Sequence, residues 1–549
     1  FEFIQRQWIN GDRFAAGLRG TRDPLVGTSR EPCDAFEIPM PKGPPLVAWL
    51  PQFVQTKGSL YLFMPGLNAL SQLERFATAH RAGPARTALA APAASTAKNQ
   101  TVTIAAVTGR LPKVMKALNS RLAKDDLLAI ALASVGTPQV APSNGSLTKS
   151  PASPRLRFDP RRRDFLIDPY PVYAAFRARE RVHYSPLFDG WFVFGYDDVA
   201  RVCTEDSNFS ASPLNGTGPR GLFTLDEPEH ANVRQRVADA WRKAAGDTPG
   251  LVQRSIDRTL AAIGARPCPC FDLVDDFARP VPRDVYFDIL GGNGIDAKER
   301  LVLDALARTV RKHHDHTLDY LARWDGTLAG LELAARLAWM LAKAARPRSR
   351  YAGTFLAYFA KEVDWRGGAL SPAVAVLTLV NLTVAGYMSV EFLLATGIRR
   401  LLLDPAAGWD MVKKNPSTLP LFLEEMRRTD HALAVVDRFA KQDVVVNDVR
   451  IPSGARVFGV LASANRDELV FGTDADKFDP YRNFPKPHLG LGWGTHACMG
   501  RALERSITEP AISRLASAMP GLVLQSAAQP PWFENFYFRS FDHLPVTLK

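Results

Sequence analysis

The stretch 491-LGWGTHACMG-500 sets one cysteine between glycines, directly ahead of a helical pattern, 499-MGRALERSITEPAISRLA-516. A lone cysteine in a reducing compartment is most often a small buried hydrophobe. Here Gly492 and Gly494 precede Cys498 and Gly500 follows it, so backbone N–H groups can approach the sulfur closely. The positive end of the following helix is expected to favour thiolate over thiol. A thiolate held in this way suits iron, and an axial thiolate pushes electron density that favours O–O cleavage.

The rest of the chain narrows the setting. At 549 residues it is too long for one core, and two or three domains are expected. Charged residues at 23% and hydrophobic ones at 46% describe a folded protein, not a disordered one. The net charge of +12 is spread along the sequence, with no aromatic-basic interleaving, which excludes a nucleic-acid module. Five cysteines (Cys33, Cys203, Cys268, Cys270, Cys498) form an odd, sparse set, unlike a disulfide framework. A reducing cytoplasm follows from that count, and Cys268 and Cys270 read as packed or solvent-facing thiols. The run 313-HHDH-316 offers His313, Asp315 and His316, but no i,i+4 histidine pair, and reads as a solvated surface turn.

Three regions differ in texture. Residues 1–83 mix aromatic-rich strands with Gly/Pro turns; they open abruptly on FEFIQRQWIN, which predicts a fragment with sequence missing upstream. Residues 84–155 form a linker. It holds the Ala/Pro-rich 84-PARTALAAPAASTAK-98, an amphipathic helix over 111–130 expected to dock onto a neighbouring domain, and 137-TPQVAPSNGSLTKSPASP-154. Residues 156–549 are dense, helical and free of low complexity.

The first region resembles the C-terminal end of a dye-decolorizing-type heme peroxidase, through FEFIQRQWIN, GLRGTRDPLVGT and 57-KGSLYLFMPGLNAL-70. That family's heme histidine and catalytic aspartate lie upstream of these words, so the resemblance implies a small α+β remnant with no heme of its own. The last region resembles the cytochrome P-450 family, in which Phe-x-x-Gly-x-x-x-Cys-x-Gly surrounds the axial ligand. By that resemblance Cys498 is the metal ligand, Gly494 and Gly500 match, His496 is a heme-propionate contact, and Leu491 takes the usual Phe place. Glu425 and Arg428 fit the family's Glu-x-x-Arg pair, with Arg482 of 478-FDPYRNF-484 as third member of a structural lock. His230, Arg234 and Arg438 fall where propionates are bound. The stretches 168-DPYPVYAAFRA-178, 190-GWFVFGYDDVARV-202 and 464-ANRDELVFG-472 extend the likeness over 156–549. The resemblance implies a mainly α fold, a helical domain plus small β-sheets, and heme b as cofactor.

One apolar stretch remains, uncharged from Gly367 to Val390. Its length meets the test for a membrane span, but Pro372 and Asn381 interrupt it and no aromatic belts flank it; a buried helix apolar all round fits as well. The resemblance makes it the wall of a heme pocket, kinked at Ala385-Gly386, where the family carries small residues and then an acid and a threonine that relay protons. Here Ala385 and Gly386 match, Met388 replaces the acid and Ser389 holds the threonine place. Methionine cannot transfer protons. Oxygen-dependent monooxygenation through Ser389 and water, use of a preformed peroxide, and a non-catalytic heme-binding role therefore all stay open. The implied partners are O2 or peroxide, a ferredoxin with its reductase, and a hydrophobic substrate, with no membrane and no nucleic acid. The substrate pocket is expected between 211-ASPLNGTGPRGLF-223, 432-ALAVV-436 and 533-FENFYFRSF-541.

Overall fold

The strand pair 190-GWFV-193 and 456-RVFG-459 lies 266 residues apart in sequence yet runs side by side and parallel, and it organises the β part of the larger unit. In this computed structural model the described residues are 33–38, 46–51, 156, 158–212, 220–313, 320–363, 370–403, 408–430, 432–528 and 535–549. The chain divides into residues 1–101 and 102–549. In the first unit the described residues are an antiparallel hairpin of β1 (Cys33–Ile38) and β2 (Leu46–Pro51), paired from Cys33↔Pro51 to Ile38↔Leu46. Otherwise the peroxidase-like remnant lies outside the described residues, as does the helix expected over 111–130.

The second unit is mainly helical, with three small sheets. Its strands are β3 (Val182–Ser185), β4 (Gly190–Val193), β5 (Phe209–Ser210), β6 (Cys270–Asp272), β7 (Val436–Ala440), β8 (Val444–Val446), β9 (Val449–Ile451), β10 (Arg456–Gly459), β11 (Leu522–Leu524) and β12 (Pro545–Leu548). The largest sheet has the order β3-β4-β10-β7-β5. Its inner face is aromatic: Phe192 stacks on Phe458 at 4.4 Å, and Phe158, Phe176 and Phe194 close around them. The β8–β9 hairpin turns on Asn447 and Asp448, both at positive φ, as a two-residue turn with the native twist requires.

Eight helices frame the rest of the site. They are α1 (Glu229–Ala244), α2 (Pro280–Leu290), α3 (Ala297–His313), α4 (Tyr320–Ala344), α5 (Pro372–Ala385), α6 (Met388–Leu403), α7 (Leu419–Thr429) and α8 (Arg501–Ala518). Helix α5 starts where Ser371 caps it, its Oγ accepting from Val374 N, with Pro372 in the first turn. It ends where the sequence places the kink. Gly386 N still donates to Leu382 O at 2.8 Å, but a Cβ at Gly386 would sit 2.5 Å from that oxygen and 2.5 Å from the Tyr286 ring. Close approach of α2 thus requires glycine there, and the chain resumes as α6 at Met388. The combined span Pro372–Leu403 is long and apolar enough to cross a membrane by length and composition, yet most of it is packed inside the protein. Core helices of this kind are hydrophobic all round because every face meets other elements.

One reading is corrected. Cys268 and Cys270 are not free thiols: a disulfide joins them, with their Cα atoms 5.3 Å apart across Pro269. The carbonyl of Pro269 accepts from Leu548 N, which fixes the turn at the start of β6. Total cysteine count could not reveal a pair made by adjacency alone.

Candidate active site

The loop before α8 is shaped by two left-handed glycines, Gly492 at φ +69 and Gly494 at φ +73. At Gly494 a Cβ would also come within 2.5 Å of the Cys203 carbonyl oxygen, so conformation and close approach both exclude a side chain. The turn at Gly494–His496 lets Ala497 N donate to Gly494 O, and Cys498 N donates to Leu491 O at 2.8 Å. Leucine at 491 therefore serves the loop through its backbone. Cys498 is free and its surface is open, yet its thiol is pushed above the usual value, foremost by desolvation. An open side chain that is nevertheless desolvated faces a concavity, not bulk water. The N–H of Gly500 pulls the other way, as do Arg501 and Arg234, while Glu504 adds to the rise. Burial thus opposes the thiolate that the helix end favours, and a metal cation at the sulfur is what would deprotonate it.

Four basic side chains gather beside this loop. His230 and Arg234 come from α1 and are one turn apart; Arg438 comes from β7 and His496 from the loop itself. The rings of His230 and His496 lie 4.1 Å apart. His230 Nδ1 pairs with Glu227 Oε1 at 3.0 Å, and Arg234 Nη2 donates to Ala497 O at 2.7 Å. Among the described residues neither Arg234 nor Arg438 has an ion-pair partner, and Arg438 donates to the Asp437 carbonyl. Burial and then the neighbouring cations, Arg438 foremost, push His496 down to about 3. The cluster is short of negative charge, and two carboxylates would answer it. A soft sulfur donor on one side and an acid-poor basic cluster on the other fit a heme with its propionates.

Beneath the loop the three-residue lock is assembled. Arg428 donates to Glu425 through Nη2 at 2.6 Å and Nε at 2.8 Å, and both residues are 0% exposed. Arg482 Nε reaches Glu425 Oε1 at 3.4 Å and otherwise holds Asp474 and the carbonyls of Phe471 and Lys477. Arg428 spends its other donors on the carbonyls of Asn465, Ala475 and Lys477. Asn465 Oδ1 accepts from Leu489 N at 2.6 Å, so the lock continues into the start of the cysteine loop.

Across the helix break, Ala385 is exposed between half-buried Val384 and Gly386, and Ser389 is half-buried between buried Met388 and Val390, which marks an open face on α5–α6. Ser389 Oγ donates to Ala385 O at 3.3 Å. Met388 points the other way and is 1% exposed. Of the loops expected to border a pocket, one meets α5 and the other two meet each other. Leu222 N and Phe223 N donate to Thr378 Oγ1 and Asn381 Oδ1 of α5. Leu433 bridges Phe538, and Ala434 N donates to Tyr537 O. The 313-HHDH-316 turn lies outside the described residues apart from the backbone of His313.

Sequence reasoning missed a buried network behind Met388. Tyr387 OH donates to Asp304 Oδ1 at 2.6 Å, Arg308 joins Asp304 and Glu391, and Arg279 joins Glu391 and Asp275. Its one local signal was Glu391, an acid closing an apolar run.

A family model described as Cytochrome P450 matches residues 407–514. Nocardicin C N-oxygenase of Nocardia uniformis subsp. tsuyamanensis is 30% identical over 405 residues, covering 69% of this chain and 96% of that protein. The 6-deoxyerythronolide B hydroxylase of Saccharopolyspora erythraea is 27% identical, covering 70% and 97%. Among solved structures, P450BioI in complex with hexadec-9Z-enoic acid ligated acyl carrier protein superposes with a TM-score of 0.62 at 26% identity, covering 70% of this chain and 99% of that one.

Proposed function

We infer, from the premise that this chain belongs to the cytochrome P450 family, that it inserts one oxygen atom into a hydrophobic small molecule at the open face of α5–α6. As a member it is a heme-thiolate oxidoreductase that binds heme b and oxidises a small molecule. The observation that carries the assignment of Cys498 as ligand is its open, desolvated sulfur in a loop that two left-handed glycines shape. Cys498 would hold the heme iron, and its thiolate would then lend the push that favours O–O cleavage. The protein's own groups do the rest. His230, Arg234, Arg438 and His496 would hold the propionates by charge-assisted hydrogen bonds. Ala385 leaves room over the pocket, and Ser389 offers the hydroxyl through which protons and ordered water are held. The apolar and aromatic segments 220–223, 432–436 and 535–541 exclude water and admit an apolar substrate. The overall reaction takes two electrons and two protons per O2, one oxygen atom entering the substrate and one leaving as water. A ferredoxin and its reductase supply the electrons.

A second reading is favoured by one observation. Met388 fills the acid's place and is sealed in apolar contacts, so proton delivery to O2 is weakened, and a preformed peroxide avoids that need. Comparison of ferredoxin-driven with peroxide-driven turnover on a panel of hydrophobic compounds decides between the two. Product formed only with the electron-transfer partners supports monooxygenation; product formed only with peroxide overturns it.

A further inference from the structure

Helix α3 ends near a guanidinium with two donors that no described residue meets. Arg311 is 3% exposed, and its Nε and Nη1 are enclosed with no acceptor among the described residues. The group lies flat between two rings, 4.1 Å from the centroid of Phe392 and 4.0 Å from that of Phe538. A side chain like this is costly to bury, since each unmet N–H forfeits its hydration. The carboxylates nearby are committed elsewhere. Glu391 gives both oxygens to Arg308 and one to Arg279, and Asp304 is shared by Arg308 and Tyr387. Burial accordingly pushes Arg311 down to about 9, with Glu391 opposing through space and Arg308 adding to the fall.

The surroundings give this cation a place in the pocket. Phe392 stands three residues beyond Ser389, on a neighbouring row of α6. Phe538 is half-buried and bridges Leu433, in two of the segments read above as the border of the substrate pocket. The same loop is tied to α3 beside Arg311, because Asn535 Nδ2 donates to Lys312 O at 3.1 Å and Asn535 Oδ1 accepts from Phe538 N. Phe538 is thus a ring cover whose backbone is anchored but whose side chain is only partly packed.

We propose that Arg311 is the anchor for the carboxylate of an amphiphilic substrate, a hydrophobic carboxylic acid whose apolar body lies along α6 toward Ser389 and whose acid group displaces the Phe538 ring from the guanidinium. This rests on the reading of the open face as a substrate pocket and narrows its substrate class. The carboxylate supplies the acceptors that Nε and Nη1 lack, and the guanidinium fork suits a planar two-oxygen group. Phe392 stays in place as the ring on which the cation is stacked.

The test is ligand binding to the heme-loaded full chain, read both by the Soret shift and by the rise in melting temperature. The probes are matched acid and primary-amide pairs on three scaffolds: linear (lauric acid and lauramide), aromatic (naphthylacetic acid and its amide) and steroid (lithocholic acid and its amide). In the parent, at least one acid binds roughly tenfold or more tighter than its amide, the discrimination of one charge-assisted contact. Arg311→Gln and Arg311→Met remove that preference while leaving amide affinity unchanged, and neither lowers the melting temperature, because a buried unpartnered cation is lost. Arg311→Lys keeps part of it. Equal binding of acid and amide on all three scaffolds, no binding of any acid, or a preference that survives in Arg311→Gln and Arg311→Met overturns the anchor. The carbon-monoxide spectrum of the parent separates this from the broader reading. A thiolate-type band with no acid preference sinks the anchor alone, whereas loss of that band leaves the melting shifts to report on Arg311 independently.

Discussion

The cysteine side and the helix-break side of the site are built to different standards. Beneath the cysteine loop the polar groups of the lock are matched to one another. Arg428 and Glu425 are both wholly buried and mutually bonded, Arg482 closes the lock, and Asn465 carries it to the loop. On the helix-break side Met388 is buried where the resemblance expects an acid, and Arg311 keeps donors that no described residue meets. A site that must hold a cofactor in one geometry needs redundancy; a site that must accept a substrate and pass protons needs groups left over. The difference is a division between holding and acting.

The comparison breaks most sharply at Cys498. Cys498→Ala should abolish the reduced carbon-monoxide band that thiolate ligation produces, while the helical circular-dichroism signal is retained; an unchanged band would move the ligand elsewhere. Next in size is the lock. Glu425→Gln leaves Arg428 as a buried charge without its counter-charge, which is expected to cost about 3–5 kcal/mol. Denaturant unfolding of the heme-free protein should show it as a lowered midpoint with an unchanged slope. A loss under about 1 kcal/mol would mean that the carbonyls of Asn465, Ala475 and Lys477 carry Arg428 without Glu425.

The two sides also differ in how far the sequence exposes them. Cys498, its glycines, the Glu425–Arg428 spacing and the break at Gly386 are legible because each depends on backbone demands within a few residues. The lock's third member needed only the short word around Arg482. The helix-break side is written in long-range pairs: Arg308 meets Glu391 across 83 residues, and Arg311 meets Phe538 across a larger gap still, with no local signature at either end. The state of the Cys498 thiol is only half legible for a related reason. A helix terminus is visible in sequence and contributes ~0.3–1 kcal/mol, whereas the burial that outweighs it depends on parts of the chain far away. The Cys268–Cys270 bond was hidden in plain view, since counting thiols says nothing about neighbours.

On the helix-break side, Met388→Asp restores an acid where proton transfer to oxygen would use one. Position 388 is 1% exposed, so desolvation raises the new acid's pKa and helps it donate, while Glu391, one turn on, is already neutralised by Arg308 and Arg279. Oxygen-driven turnover should rise by at least ~10-fold, a part of the ~10²–10⁴-fold that general acid catalysis contributes, with peroxide-driven turnover flat or lower. Equal gains in both assays would mean that the substitution alters substrate fit and not proton supply.

The finest distinction concerns the edge of the well-matched side, where Glu424 sits next to the lock but is 35% exposed. Its hydrogen bond with His488 holds its carboxyl at about 2, against desolvation and with help from Arg427 and Arg505. Unfolded, the same group titrates near ~4.3. The folded pKa is the lower one, so the stability it contributes is present above ~4.3 and is lost as pH falls through about 2. Because water reaches the pair, the contribution is at most ~1 kcal/mol. Glu424→Gln should therefore unfold slightly earlier in urea at neutral pH, and the gap to the parent should close as the pH is lowered across that interval. A gap that stays constant down to the acid limit would assign Glu424 to packing of the 486–490 segment, and the matched side would then end at Glu425.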